Sequence, residues 1–426
     1  VRYEVAIQRL FALQARGMRM GIERMQDALR FRNIAQPRFP LIQVAGTNGK
    51  GSVSVMIAAG LRAAGYRTGL FTSPHLHRFT ERVCIDGRPL GTREAAHRIA
   101  ELLELFDTAG APDVSFFELS TLLAIEAFRD HGCDVAVLEV GLGGRLDATT
   151  ALPASLSVIT RIAHDHMHML GKTLPKIAAE KAGIIRHGVR VIVGSRAPAA
   201  QRVIAAQARR MSAPLDLIER DFRCVPSRDR ERVTFEAGAI RLRAVRLALA
   251  GEHQRDNAAL AFTALLRLRD QGFRVPMRAV RHALTSVRWP ARLETVPGRP
   301  RVLLDAAHNP DGCRALASFL AHEERRPRVL IFGVLEDKDY PNMLRVLAPC
   351  FDHVIYVQPS IPRAMPASAL QRVLPGVAAR GVTEALRSAR RAAGSGGLVV
   401  VAGSIFVVAE LRARLLHVAS DPFIRL

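Results

Sequence analysis

The sequence is 426 residues long, enough for two or three domains around a sizeable buried core. Apolar residues make up 49% and aromatics 5%, which suits an aliphatic α/β protein, and no apolar run approaches the roughly 20 residues of a membrane span. The formal charge of +22 is spread along the chain without aromatic–basic motifs, which argues for a solvated basic surface attracting small anions rather than for nucleic acid.

The N-terminal stretch is amphipathic and contains arginine, unlike a secretory signal. The first strong element is an apolar strand over 41–45 that runs straight into Gly46-Thr47-Asn48-Gly49-Lys50-Gly51-Ser52. Gly46 and Gly49 permit a tight turn close to an anion, and Lys50 supplies a point charge. Ser52 opens a helix over 52–64, so loop amides and a helix N-terminus would face bound phosphate. The spacing departs from the usual GxxxxGK[ST] loop. Only five lysines stand among 61 basic residues: Lys50, Lys172, Lys176, Lys181 and Lys338. Lys50 is therefore expected to do something a guanidinium cannot, such as presenting a compact ammonium to phosphate. Lys172 and Lys176 are expected to be survivors of compositional drift.

Strands follow over 68–72, 134–140, 156–162 and 189–193, with helices over 92–106, 117–128 and 174–184 between them. Such alternation predicts a parallel sheet with crossover helices, covered on both faces. Thr72-Ser73-Pro74-His75 ends the second strand, at the carboxyl edge where α/β sheets place ligands. Ser73 reads either as a hydroxyl on Mg2+ or as a turn serine. Glu139 tips an apolar strand just before Gly141-Leu142-Gly143-Gly144-Arg145-Leu146-Asp147, where a nucleotide-bound metal would be held. His164-Asp165-His166-Met167-His168 follows the next strand. With no matching His/Cys set elsewhere, one His near Mg2+ is expected rather than a zinc site, with His164 and His168 as polar loop residues. Lys181, taken alone, reads as a solvated helix charge.

Residues 222–249 change character, with short antiparallel strands over 222–225, 232–235 and 240–249, then helices over 257–269 and 277–285. The aperiodic, proline-containing segment 287–301 marks a domain boundary. It separates an N-terminal and central nucleotide-binding domain (1–288) from a smaller Rossmann-like α/β domain (301–426), with 289–300 as linker. Strands of the second domain are expected over 302–305, 329–332, 353–357 and 398–402. Asp305 and His308 would be aimed out of that sheet by the Asn309-Pro310 turn, toward a phosphate or an amino acid, or serve the turn alone. Five cysteines, odd in number and without a CxxC, imply reduced thiols in a cytoplasmic protein.

Taken together these segments resemble the folylpolyglutamate synthase/dihydrofolate synthase branch of the Mur ligase family. The matching stretches are VAGTNGKGS (44–52), TSPHL (72–76), RFTER (78–82), SFFELSTLLA (115–124) and LEVGLGGRLDATT (138–150). They continue with DHMHMLG (165–171), EKAGIIR (180–186), GEHQRDNAAL (251–260), LLDAAHNPDG (303–312) and DKD (337–339), in order over nearly the whole chain. The resemblance implies a cytoplasmic monomer that uses ATP and two Mg2+ ions to join L-glutamate to dihydropteroate or tetrahydrofolate (poly)glutamates through an acyl phosphate. Asn48, Gly49, Lys50 and Gly51 would cradle the triphosphate, and Asn257, Arg292 and Asp305 would contact ATP. Ser73, Glu139 and His166 would hold metal, and Lys181 would be carbamylated. Gly17, Met18, Arg19 and Met20 would bind the pterin substrate, with Ser115, Phe116, Phe117, Glu118, Leu146, Asp147 and Ala148. His308 and Ser404 would meet the incoming glutamate.

Three departures from the family pattern stand out. Arg19 replaces a residue that is often acidic, Ala291 replaces the glycine of a Pro-Gly-Arg turn before Arg292, and His164 precedes the Asp-His pair. Competing readings are another Mur-type ligase acting on a peptidoglycan precursor, and a nucleotide-operated protein that uses its charge on nucleic acid.

Overall fold

The computed structural model describes residues 1–17, 21–34 and 36–421. Its largest sheet has eight strands: β1 (Leu41–Ala45), β2 (Thr68–Phe71), β3 (Val83–Ile85), β4 (Arg88–Pro89), β5 (Val135–Glu139), β6 (Ala154–Ile159), β7 (Val191–Val193) and β8 (Leu215–Leu217). Their order is β4-β3-β2-β5-β1-β6-β7-β8. All pairs from β2 to β8 are parallel, and β3 and β4 add an antiparallel ribbon at one edge. Every residue of β1 and β5 is buried, as strands covered on both faces must be.

Helices cover both faces. On one, the helix Lys50–Ala63 packs with His253–Asp270 and Met277–Ser286 around Val44, Met56, Phe262, Leu265 and Val280. Gly60 makes this approach possible, since a Cβ there would lie 2.5 Å from Leu265 Cδ1. On the other face, Leu41, Phe71, Leu119 and Phe128 are joined by Ile7 and Leu10 from the N-terminal helix Tyr3–Ala12. A three-stranded antiparallel sheet, β9 (Phe222–Pro226), β10 (Val233–Ala237) and β11 (Ile240–Val245), lies against the first core.

The second domain is built on β12 (Glu294–Val296), β13 (Arg301–Leu304), β14 (Arg328–Phe332), β15 (His353–Val357), β16 (Val377–Ala379) and β17 (Leu398–Ala402). Their order is β12-β13-β17-β14-β15-β16, parallel except for β12. The segment expected as linker therefore contributes an edge strand to the second sheet. Ala291, where the family turn carries glycine, adopts a φ of 60°, the left-handed conformation that glycine takes without steric cost. No helix among the described residues is long and apolar enough to cross a membrane.

Most of the expected strands recur within two residues of their expected bounds, though 156–162 stops at Ile159 and 240–249 at Val245. The short strands β3, β4, β8, β12 and β16 and the N-terminal helices Tyr3–Ala12 and Glu23–Phe31 lie outside the elements expected from the sequence. Met18, Arg19 and Met20 lie outside the described residues.

Candidate active site

Strand order assembles the site. In the run β2-β5-β1-β6, four parallel carboxyl ends lie side by side, with Phe71 paired to Leu138, Val44 to Glu139 and Ala45 to Ile159. The segments that leave these ends are Thr72-Ser73, Glu139 itself, the loop 46–50, and the stretch carrying Arg161, Asp165 and His166. Four stretches far apart in sequence thus meet at one edge, where doubly wound sheets bind ligands.

The loop is shaped by contacts only glycine allows. Gly46 has φ 148° and a Cβ there would fall 1.8 Å from Thr160 Oγ1, while Gly49 has φ 95° and would meet Asn257 Oδ1 at 2.3 Å. Gly51 packs on the Trp289 ring, 2.9 Å from its would-be Cβ. Lys50 curls back over its own loop, donating to the carbonyls of Gly46 at 3.2 Å and Thr47 at 3.4 Å. Asn48 is occupied across the domain gap: its Nδ2 donates to Asp311 Oδ2 at 2.9 Å, and its Oδ1 accepts from Asn309 Nδ2 at 3.0 Å.

Lys181 is only 4% exposed and donates to the Gly46 carbonyl at 2.8 Å. The solvated helix charge read from sequence is thereby corrected: the helix Leu174–Ala182 turns this residue into the protein, beneath the loop. Burial, with the nearby Lys50 ammonium, pushes its amine down to about 7. Glu139 is 5% exposed and accepts the Ser73 amide at 3.1 Å. Burial raises its pKa against the pull of Lys50, Arg292 and Arg82.

Asp165, given no role in the sequence reading, is the hub of the far wall. Its Oδ1 accepts from Lys338 Nζ at 2.7 Å and from the His166 amide at 2.9 Å. Its Oδ2 accepts from Asn309 Nδ2 at 3.0 Å and lies 3.2 Å from His308 Nε2. Burial opposes ionisation, but the His308 contact, then the charges of His308 and Lys338, hold this carboxyl far below the usual range. His166 is pushed down to about 4, chiefly by burial, so its ring is neutral at pH 7. A second interdomain pair joins Arg161 to Asp311 Oδ1 through Nε at 3.0 Å and Nη2 at 2.7 Å.

The remaining expected residues sort by what they touch. Asp305 is 7% exposed and accepts one backbone N–H on each oxygen, from Leu293 and Ala307. Arg292 lines the same cleft. Ser404 is a helix N-cap, accepting the Phe406 amide at 3.1 Å. Ser115 and Glu118 form a reciprocal capping box, and Glu118 Oε1 lies 3.2 Å from Arg24 Nη2. Phe116 lies under the Arg82 guanidinium at 5.0 Å, and Phe117 lies against Gly141 and Phe71. Asp147 braces its own loop, accepting from the amides of Gly141, Leu142 and Thr149. Ala148 is buried behind it, the Leu146 carbonyl accepts the Gly21 amide, and Gly17 is exposed.

The cleft between the domains has a volume of about 630 Å3 and is lined by Lys50, Ser73, Glu139, His166, Lys181 and His308, among others. Among the described residues no three His, Cys, Asp or Glu side chains gather as a metal cage. The donors present, one carboxylate, a hydroxyl and a neutral imidazole, fit Mg2+, which takes one or two carboxylates and completes its shell with phosphate and water.

This cleft, with a phosphate loop on one wall and a Rossmann-like domain on the other, has counterparts. The Mur ligase middle domain matches residues 44–265 and the Mur ligase glutamate ligase domain residues 291–405, which defines a Mur-type ATP-dependent ligase. The dihydrofolate synthase/folylpolyglutamate synthase of Bacillus subtilis is 32% identical over 413 residues, covering 94% of this chain and 96% of that protein. The Mycobacterium tuberculosis counterpart is 38% identical over 361 residues, covering 79% and 73%. The Escherichia coli structure in complex with DHPP and ADP superposes with a TM-score of 0.90 at 32% identity, over 98% of each chain. A further bifunctional enzyme, with Mn, AMPPNP and L-glutamate bound, gives 0.87 at 32% identity over 97% and 98%. The chain belongs to the dihydrofolate synthase/folylpolyglutamate synthase family.

Proposed function

We propose that this protein joins L-glutamate to the free carboxylate of dihydropteroate and of folate (poly)glutamates, with ATP as phosphoryl donor. The observation that carries the reading is the convergence of Gly46–Lys50, Ser73, Glu139 and His166 from one domain with Asp305 and His308 from the other around one cleft, with Lys338 behind its wall on Asp165.

A carboxylate is a poor electrophile until one oxygen is phosphorylated. In the first step that oxygen attacks the γ-phosphorus of ATP and ADP leaves. In the second the amine of glutamate attacks the acyl carbon, the amide bond forms and phosphate departs with the carboxylate oxygen. The amides of the loop and Lys50 stabilise charge on the transferred phosphoryl group. Ser73, Glu139 and His166 would hold Mg2+, which supplies further charge neutralisation there. Enclosure by the second domain keeps water from the acyl phosphate until the amine arrives. Ser115–Glu118 and the 146–148 turn form the wall for the pterin end; within it, Ser115, Glu118 and Asp147 shape the backbone, while Phe116 and Phe117 offer ring faces.

Lys181 is poised for carbamate formation. A lysine amine pushed down to about 7 is largely neutral at pH 8, and a neutral amine adds to CO2 with loss of one proton. The product would replace a buried ammonium by an oxygen ligand beside the phosphate loop.

The test is ligation by purified protein with ATP, Mg2+ and L-glutamate, offering dihydropteroate or tetrahydrofolate and weighing products by mass spectrometry. Products one glutamate heavier from both acceptors support both activities; no glutamate-dependent ADP release with either overturns the reading.

A further inference from the structure

The helix Ile405–Leu416 of the second domain stops at His417, whose φ of 54° turns the chain, and the Val418 amide donates back to the Ala413 carbonyl at 3.1 Å. Residues 417–420 are exposed, yet Asp421 is only 8% exposed. A carboxylate is buried only where it is held. Asp421 Oδ2 accepts from the Phe79 amide at 2.6 Å and from the Tyr3 hydroxyl at 2.8 Å, both in the first domain. In return the Asp421 amide donates to the His77 carbonyl at 2.8 Å. His77 Nε2 accepts from Arg412 Nη1 at 2.9 Å, which leaves its Nδ1–H to donate to Ser420 Oγ at 3.0 Å. The strap 417–421 thus clasps the loop 74–82 of the first domain to the second.

The loop serves three of its own amides, since those of Leu76, His77 and Arg78 all donate to the Glu81 carboxylate. The Phe79 amide goes to Asp421 instead. Phe79 is fully buried, so without the strap this N–H would be left unpaired inside the protein.

What Phe79 supports decides what the strap is for. Its ring meets Phe116 edge-on, with 6.2 Å between centroids. The helix that carries Tyr3 also carries Phe11, which lies 5.7 Å from Phe116 and stacks on His75 of the loop at 5.9 Å. Both groups that donate to Asp421 therefore belong to elements that seat Phe116, a ring of the wall assigned above to the pterin end of the acceptor.

We propose that Asp421 is a positioning residue for the acceptor: from the second domain it fixes the backbone of Phe79 and the N-terminal helix, and through them the Phe116 wall. This rests on the reading of Ser115–Glu118 as the acceptor wall. By linkage, an acceptor that needs the wall in place stabilises the clasp in turn.

The test has two arms. Steady-state ligation compares wild-type protein with Asp421→Ala and Asp421→Asn, whose amide oxygen still accepts both donors. Asp421→Ala should raise the KM for dihydropteroate or tetrahydrofolate by about fivefold or more, with kcat and the KM for ATP within about twofold of wild type. Asp421→Asn should restore the acceptor KM to within about twofold. In the second arm, hydrogen exchange of wild-type protein in ADP should slow at residues 77–81 and 417–421 when dihydropteroate is added. An unchanged acceptor KM in Asp421→Ala, equal effects of Ala and Asn, parallel losses in kcat and the KM for ATP, or exchange indifferent to dihydropteroate would each overturn the proposal. The exchange arm decides the matter if Asp421→Ala fails to fold. Wild-type protein that ligates glutamate to neither acceptor would instead overturn the ligase reading itself.

Discussion

Lys338 Nζ and Asp165 Oδ1 are 2.7 Å apart, on different domains, with side chains only 8% and 7% exposed. One carboxylate thereby holds the second domain against the first through Lys338, Asn309 and His308. Removing one member of a buried pair strands the other charge, at about 3–5 kcal/mol, whereas replacing both by apolar groups costs far less. Asp165→Leu or Lys338→Met alone should therefore lower stability strongly, and the double variant should recover part of the loss. Urea unfolding followed by Trp289, the single tryptophan, which packs on the phosphate loop, gives the comparison. Additive losses would contradict the pairing.

The same carboxylate sets an acid limit. Its folded pKa is depressed relative to the unfolded value near 3.9, so its contribution is complete above that value and is lost as pH falls below it. Acid unfolding of wild-type protein should be shifted to higher pH in Asp165→Asn, and the stability gap between the two should shrink below about pH 4. A gap independent of pH from 7 to 3 would contradict the assignment.

Lys50→Arg should leave the fold intact and reduce ligation by about 100-fold or more. The ammonium fits within a loop that curls to 3.2 Å from it, and a planar guanidinium does not. Unchanged circular dichroism with near-normal turnover would show that any cation serves here.

Glu139→Gln should chiefly raise the Mg2+ concentration needed for half-maximal activity, because a neutral amide is a poorer ligand for a hard cation. An unaltered Mg2+ titration would reduce Glu139 to its hydrogen bond with the Ser73 amide.

Lys181→Ala should lose activity that short carboxylic acids in solution partly restore. In the wild-type protein, dependence on dissolved CO2 should strengthen as pH rises through about 7, where the amine becomes neutral. Full activity in the alanine variant would remove the carbamate from the scheme.

What the sequence made legible follows a physical line. β1, β5 and β6 announce themselves because strands covered on both faces are predominantly apolar, and the loop after β1 because it carries Gly46 and Gly49, both of which adopt positive φ. Ser73 and Glu139 were found as polar residues at strand ends. The two-residue strand β4 is exposed and carries no such signal. The N-terminal helix did carry one, since Ala6, Ile7, Leu10 and Phe11 share a face, but a short amphipathic stretch looks alike whether it packs on a core or not. Asp165 and Asp311 were missed because their side-chain hydrogen-bond partners lie 144 to 263 residues away and, for both, reach across two domains. Scarcity of lysine could have flagged Lys338 as it flagged Lys50. Lys181, taken alone, reads as a solvated charge because helix periodicity does not say which of two faces a loop will cover.

Acyl phosphate formation in this cleft is tested most directly by isotope transfer. Dihydropteroate labelled with oxygen-18 in its carboxylate is incubated with the protein, ATP, Mg2+ and L-glutamate, and the released phosphate is weighed. One oxygen-18 atom should appear in each phosphate, in step with a product one glutamate heavier. Unlabelled phosphate accompanying product would contradict phosphorylation of the carboxylate, and with it the role assigned to the loop and its metal ligands.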